Sequence, residues 1–510
     1  MKILFIYPNA EGYGRIPVGI SILISILLEN GHQVELFDTT FMKSENIDNI
    51  IREKAKLVLP IDRSYLYDLY SAEDIDDMLR EKVKRFLPDL IAISIVEDNY
   101  PYADHLLGVI KSRYRHIPVI AGGNTPTVAP DVVIENPHIN YLIQGEGEES
   151  IQEFCNLMER GRSVEEVRNL WYKKNGEIKN NPLRPFVNMS TLPVQNFDLW
   201  DKRHFLKPYC GKLFQAGYFE LSRGCLHKCS YCINDTCQKL LREAGKFHRE
   251  KSIHKLIEEI RILKGKHKIE MILFCDDNFL MMSQPRIGEF AESWKSEISL
   301  PYWINTTAET INKENLTKLK ETGCCGIGIG IESGSEWLRR NVLKRRTTNK
   351  SIEKAFRLIH EFEIRTTANN MIGFPGEHEE DIFETIKLNK RIQPKSCDLN
   401  FVAPYIGTAI YAVAKRLGYL NMWDKPGFRG MVKNISTRRE PLIKHPHISR
   451  KILMKIFYEF IDYVEGRLPI PNKFRKPAPG SGKNAPPRER LGKEVVEAFN
   501  CSDNEVFLHL

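Results

Sequence analysis

The sequence predicts an α/β protein made of two successive parallel-sheet units. A doubly wound sheet is expected over residues 1–160 and a partial (β/α)6 barrel over 206–430, joined by a connector at 161–205. A small helical region with a flexible basic tail follows at 431–510. Three observations carry this reading. Short, near-continuous apolar runs recur between helical stretches, the pattern of strands buried on both faces. The residues closing those runs are small or polar, as expected where a ligand meets the carboxyl ends of parallel strands. The alternation breaks once, between residues 165 and 200, and then resumes with different punctuation.

Composition narrows the classes. The chain has 510 residues, 42% hydrophobic and 27% charged, which is globular and large enough for two or three cores. Its 11 cysteines show no regular disulfide spacing, which points to a reducing cytoplasm. Met1 to Pro8 reads as a buried strand rather than a secretion signal, and the apolar run from Ile16 to Leu28 is too short to span a membrane. Much of the net charge of +8 sits in the tail, where Asn472 to Lys493 holds seven Lys/Arg against one acidic residue among prolines and glycines. That composition marks a solvated linker rather than a nucleic-acid module.

In the first unit, Lys2 to Tyr7 is the first strand and Val18 to Leu28 the first helix, stopped at Asn30-Gly31. Further strands are expected at Gln33–Asp38, Leu90–Val96, Ile117–Gly123 and Tyr141–Gly145. The long charged insert from Lys43 to Val83 reads as helical, a cap over the ligand edge. In the connector, Leu170 to Lys179 reads as a hairpin turned at Asn175-Gly176.

The second unit opens on Tyr218–Leu221 and then Cys225, Cys229 and Cys232, spaced C-x3-C-x2-C. Three thiolates from one loop can hold a metal centre with one position open. A zinc knuckle with Cys237 as fourth ligand meets the same spacing. Strands follow at Glu270–Asn278, ending in Asp276-Asp277, and at Tyr302–Thr306. Gly326–Ser333 carries Glu332 and Ser333, a strand within Thr366–Glu377 precedes Gly373, and the last is Asp398–Val402. Cys324-Cys325, ahead of the Gly326 strand, reads as core packing or as a thiol near the substrate. A final helix is expected from Ile448 to Val464.

The triplet, with Tyr231 before its last cysteine and Ser222-Arg-Gly ahead of its first, resembles radical S-adenosylmethionine (SAM) enzymes. The later strand ends match that family in order. The resemblance implies a 4Fe-4S cluster on Cys225, Cys229 and Cys232, with SAM near Tyr231, Asp276, Asp277, Glu332, Ser333, Ile372, Gly373 and Tyr405. In Tyr405-Ile-Gly-Thr408, Ile406 replaces the family's usual proline, a change expected to affect loop stiffness more than chemistry. The first unit resembles the flavodoxin-like cobalamin-binding domain found ahead of many such cores. That likeness places cobalamin near Pro17, Gly19, Ser94, Gly122, Gly123, Asn124, Gly145 and Glu146. The Asp-x-His-x-x-Gly loop of cobalt-ligating relatives is absent; the chain reads Asn9-Ala-Glu-Gly-Tyr-Gly14 instead.

The resemblance implies reductive cleavage of SAM to a 5′-deoxyadenosyl radical. It further implies cobalamin-dependent methyl transfer to an unactivated centre of a small metabolite, lipid or natural-product intermediate. The alternatives are a non-methylating cyclase or oxidoreductase of the same type, and a non-catalytic cobalamin- or metal-binding protein. The implied partners are a small-molecule or lipid substrate and an electron donor such as flavodoxin or ferredoxin, in the cytoplasm.

Overall fold

In a computed structural model, residues 1–9, 14–42, 47–60, 62, 68, 70–420, 439–475 and 494–499 are described. Much of the basic tail lies outside them, as does most of the loop after the first strand. Among the described residues no helix is long and apolar enough to cross a membrane.

The first sheet has the order β2-β1-β3-β4-β5-β6-β7: β1 (Lys2–Tyr7), β2 (Gln33–Asp38), β3 (Leu90–Ser94), β4 (Val119–Gly122), β5 (Tyr141–Ile143), β6 (Leu170–Lys174) and β7 (Glu177–Asn180). The first five are parallel. Alternation along β1 sends Ile3 and Phe5 to one face and Leu4 and Ile6 to the other, and each face meets its own helical layer. This is the doubly wound plan, with its switch point between β1 and β3. The hairpin expected in the connector turns at Asn175 and Gly176, both at positive φ. It pairs antiparallel with β5, so the sheet extends to Asn180.

The second sheet runs β16-β15-β14-β13-β12-β9-β8: β8 (Leu206–Tyr209), β9 (Lys212–Phe219), β12 (Met271–Phe274), β13 (Tyr302–Thr306), β14 (Cys324–Glu332), β15 (Arg365–Ile372) and β16 (Ser396–Phe401). Six strands are parallel, and β8 folds back antiparallel on β9. The sheet curls, since the Tyr209 hydroxyl donates to the Cys325 carbonyl at 2.7 Å across the strands between them. The contact lies at the amino end of the barrel. Cys324-Cys325 therefore sits at the opposite end of the barrel from the cysteine loop. Two short strands, β10 (Ser222–Arg223) and β11 (Arg249–Glu250), clamp the base of that loop.

The insert after β2 divides its duties. Helix Ala72–Phe86 lies on the first sheet as its crossover, burying Ile75, Leu79, Val83 and Phe86. The stretch around Ile47–Lys54 reaches the other sheet instead. Arg52 pairs with Asp398 of β16, Lys56 with Asp462 of helix Arg450–Glu465, and Ala55 and Leu57 join the second unit's core. It flanks the last barrel strand rather than capping the first sheet. One apolar cluster runs from helix Val18–Glu29 through the barrel, so the two units share a core.

Candidate active site

The cysteine loop hangs between β10 and helix Ile233–Leu240, past the carboxyl end of β9. Gly224 enters it at φ +85°, and a Cβ there would stand 2.6 Å from the Phe247 carbonyl oxygen. Only glycine fits that turn. The Ser230 hydroxyl and N–H donate to the carbonyls of Val342 and Leu343, and its carbonyl accepts from Ile410 N–H. The loop is thus tied to the segments after β14 and β16.

Burial raises the pKa values of Cys225, Cys229 and Cys232, and neighbouring cysteines raise those of Cys229 and Cys232 further. The Cys229 thiol is pushed up to about 11 and that of Cys232 to about 12. Thiolates form in such a place only where positive charge compensates. Among the described residues no three His, Cys, Asp or Glu side chains converge on one ion. A cubane asks each thiolate for a different iron and so does not require the sulfurs to converge on one point. Cys237 instead packs with Val128 and Leu241, its thiol pushed up to about 12 by burial.

The structure separates the two aspartates. Asp276 is buried and accepts from Leu221 N–H, Ser222 N–H and the Ser222 hydroxyl at 3.1, 2.6 and 2.6 Å. It holds the loop's entrance, and burial raises its pKa to about 7. Asp277 is exposed and its charge reaches Cys225 and Cys232. Glu332 closes β14 at φ +63°, left-handed for a non-glycine residue, and lies buried against Arg345 at 3.2 Å. Arg345 also donates to the Tyr231 hydroxyl at 3.2 Å and the Gly330 carbonyl at 3.0 Å. Tyr231 in turn hydrogen-bonds Cys229. Arg345, overlooked in the sequence, thus joins the cysteine loop to the end of β14. The basic run Lys344-Arg345-Arg346 in the loop after helix Glu336–Asn341 was the available signal.

The other expected SAM positions have these surroundings. Ser333 is fully buried, its hydroxyl 3.3 Å from that of Thr385, and Ile372 is core. Gly373, at φ +86°, donates its N–H to the buried Glu377 carboxyl. The Tyr405 hydroxyl donates to both oxygens of Asp98, at 3.2 and 3.0 Å. Ile406 does more than alter stiffness. Its N–H, which proline would lack, donates to buried Glu97 at 2.8 Å.

At the carboxyl edge of the first sheet the glycines divide. Gly19 and Gly122 have no atom within 4 Å of a Cβ position, and Asn124 is exposed beside them. Pro17 and Ser94 are half-buried nearby in the same edge. These positions leave a bare strip on that edge. Gly123 is packed on Ile95, where a Cβ would stand 2.6 Å from the carbonyl oxygen. Gly145 faces Leu241 of the second unit. Glu146 is taken up by Arg223 at 2.9 Å, Arg249 at 2.8 Å and the Val187 N–H at 3.0 Å. Arg223 also reaches Glu148 and Glu220. Gly145 and Glu146 therefore join the two units rather than line the open strip.

Comparison with known proteins agrees with this division. Residues 219–388 match the radical SAM superfamily, and residues 63–154 match the B12 binding domain. The chain therefore carries a radical SAM domain and a B12 binding domain, and it resembles proteins named as radical SAM methyltransferases. Its cofactors are a 4Fe-4S cluster, SAM and cobalamin. It is 26% identical over 475 residues to an uncharacterised methyltransferase of Pyrococcus horikoshii, covering 90% of this chain and 92% of that protein. It is 23% identical over 442 residues to the anaerobic magnesium-protoporphyrin IX monomethyl ester cyclase of Synechocystis, covering 83% and 80%. Among solved structures, the radical SAM methyltransferase TsrM of Kitasatospora setae, with cobalamin and a 4Fe-4S cluster bound, superposes with a TM-score of 0.64. That match has 15% identity and covers 98% of this chain and 99% of that one. The cobalamin-dependent radical enzyme OxsB gives a TM-score of 0.58 at 17% identity over 91% of this chain and 56% of that one.

Proposed function

We propose that the protein transfers a methyl group to an unactivated centre of a small molecule. One observation carries the reading: the carboxyl edges of both sheets are joined around the cysteine loop. Arg223, two residues before Cys225, is held by Glu146 and Glu148 of the first unit. On the far side, Asp98 and Glu97 hold Tyr405 and Ile406. These contacts tie the first sheet's carboxyl edge to the segments around the cysteine loop, which supports a cleft shared by Gly19, Gly122 and that loop.

When bound, the cluster supplies the electron that cleaves SAM and cobalamin carries the methyl group. The protein's own residues position and shield. Cys225, Cys229 and Cys232 hold the cluster. Arg345 offsets the buried charge of Glu332 and fixes Tyr231 against Cys229. Asp277 offers an accessible carboxylate to the SAM amino group, and the loop at Gly373 offers a turn for the adenine. The interdomain contacts limit water at the cleft, which protects a reactive carbon radical from quenching.

Anaerobic reconstitution with iron, sulfide and hydroxocobalamin, followed by product analysis, tests this. Methyl transfer yields S-adenosylhomocysteine together with 5′-deoxyadenosine. The likeness to the Synechocystis cyclase favours a second reading, a non-methylating reaction, for which 5′-deoxyadenosine alone is the signature.

A further inference from the structure

The concave face of β13–β16 carries mostly glycine and polar residues. Along these strands Ile304, Ile329, Ala368 and Leu399 are buried beneath the helices, and Asn305, Asn369 and Asn400 alternate with them on the other face. Gly326, Gly328 and Gly330 keep β14 bare on that face. The positions their Cβ atoms would take mark successive layers. The Gly326 position meets the Trp303 ring. The Gly328 position stands 2.3 Å from Asn305 Oδ1 and 3.5 Å from Asn369 Nδ2. The Gly330 position meets Glu332 and Arg345, at 2.6 and 3.1 Å. The two carboxamides therefore meet over Gly328, one layer below the residues that touch the cysteine loop. Asn305 is exposed, Asn369 is half-buried, and neither side chain has a hydrogen-bond partner among the described residues. On β16, Asp398 stands in register with Asn369, and Asn400, two residues on, donates to it at 3.3 Å.

From this layer we infer the class of substrate. It is a water-soluble molecule that presents a hydrogen-bond donor and an acceptor next to the reacting carbon, such as an amide or hydroxyl, and not a hydrocarbon lipid. This deepens the function proposed above and rests on it. A molecule held below the cluster covers the Asn305 and Asn369 amides and removes their water. An amide or hydroxyl group replaces the lost hydrogen bonds, whereas a hydrocarbon leaves both carboxamides unpaired and binds poorly for that reason. Gly328 is what allows the approach, since any side chain there would overlap Asn305.

The test uses the reconstituted full-length enzyme with SAM, a reductant and hydroxocobalamin. The probes are the aqueous and chloroform phases of an extract of the source organism. The expected result is that the aqueous phase stimulates 5′-deoxyadenosine formation and contains a product heavier by one methylene group. Asn305→Leu and Asn369→Leu should each raise the amount of aqueous phase needed for half-stimulation about tenfold, the loss of one well-made hydrogen bond. Cluster absorbance in the visible spectrum shows whether each variant is folded and loaded. Stimulation by the chloroform phase, by neither phase, or by the aqueous phase equally in wild type and both loaded variants overturns the inference. Absence of 5′-deoxyadenosine in every arm, with the cluster loaded, removes instead the radical SAM function on which it rests.

Discussion

Arg345 is the residue whose environment says most about the site. It serves a carboxylate, a phenol and a carbonyl at once, and its partners come from the cysteine loop and from β14. Burial drives the Glu332 carboxyl up while Arg345 pulls it down. Replacing Arg345 by Met leaves that carboxyl without its cation, and the expected loss in a denaturant melt is about 3–5 kcal/mol. Adding Glu332→Gln should recover most of the stability without restoring SAM cleavage, which separates folding from positioning. The paired aspartates give a second contrast. Asp276→Asn puts an N–H among three donors and should cost about 1–3 kcal/mol. It should also lower cluster loading, read as iron per chain. Asp277→Asn should keep the loading and raise the KM for SAM.

The element that matters most is the clamp at the base of the loop. Ser222 and Arg223 pair with Arg249 and Glu250, and both arginines meet Glu146 from the first sheet's edge. Strand pairing and ion pairs thus act on the same few residues. Truncating one member of such a buried, hydrogen-bonded set costs on the order of 2–5 kcal/mol, mostly from stranding the others. Glu146→Ala should therefore loosen the two units against each other. The expected readout is less cobalamin retained through gel filtration and a lower ratio of methylated product to 5′-deoxyadenosine, while iron content stays unchanged. Equal retention in mutant and wild type would show that the set is structural only.

At the scale of the whole molecule, the contact between β3 and the loop after β16 carries a pH dependence. Burial raises the Glu97 pKa to about 8, against 4.5 for an ordinary glutamate. The native state therefore holds its proton longer than the unfolded chain does. The stability this contributes is complete below the unfolded value and is lost as pH rises through about 8. Glu97→Gln keeps an oxygen for the Ile406 N–H and removes the titration. Its melting temperature should match wild type near about pH 5 and exceed it near about pH 9. A constant difference across that range would mean that Glu97 does not titrate on unfolding.

Much of this molecule is decided by local pattern. β1, β2 and β13 span the residues expected of them: Pro8 stops β1, and Asn30-Gly31 and Pro301 break the chain just ahead of β2 and β13. The cysteine triplet is equally local, since three ligands within eight residues need only one loop. The radical SAM core and the flavodoxin-like order follow from such signals. What the tertiary structure alone decided is which polar strand ends join the two units or hold the cysteine loop. Glu146, Tyr405 and Asp276 have the same chemistry as residues that bind ligands, and nothing near them in sequence reveals their partners. Those partners, Arg249, Asp98 and Ser222, lie 103, 307 and 54 residues away. A carboxylate goes to whichever cation or N–H the fold brings within about 3 Å, and that distance is set by packing between elements rather than by the local sequence.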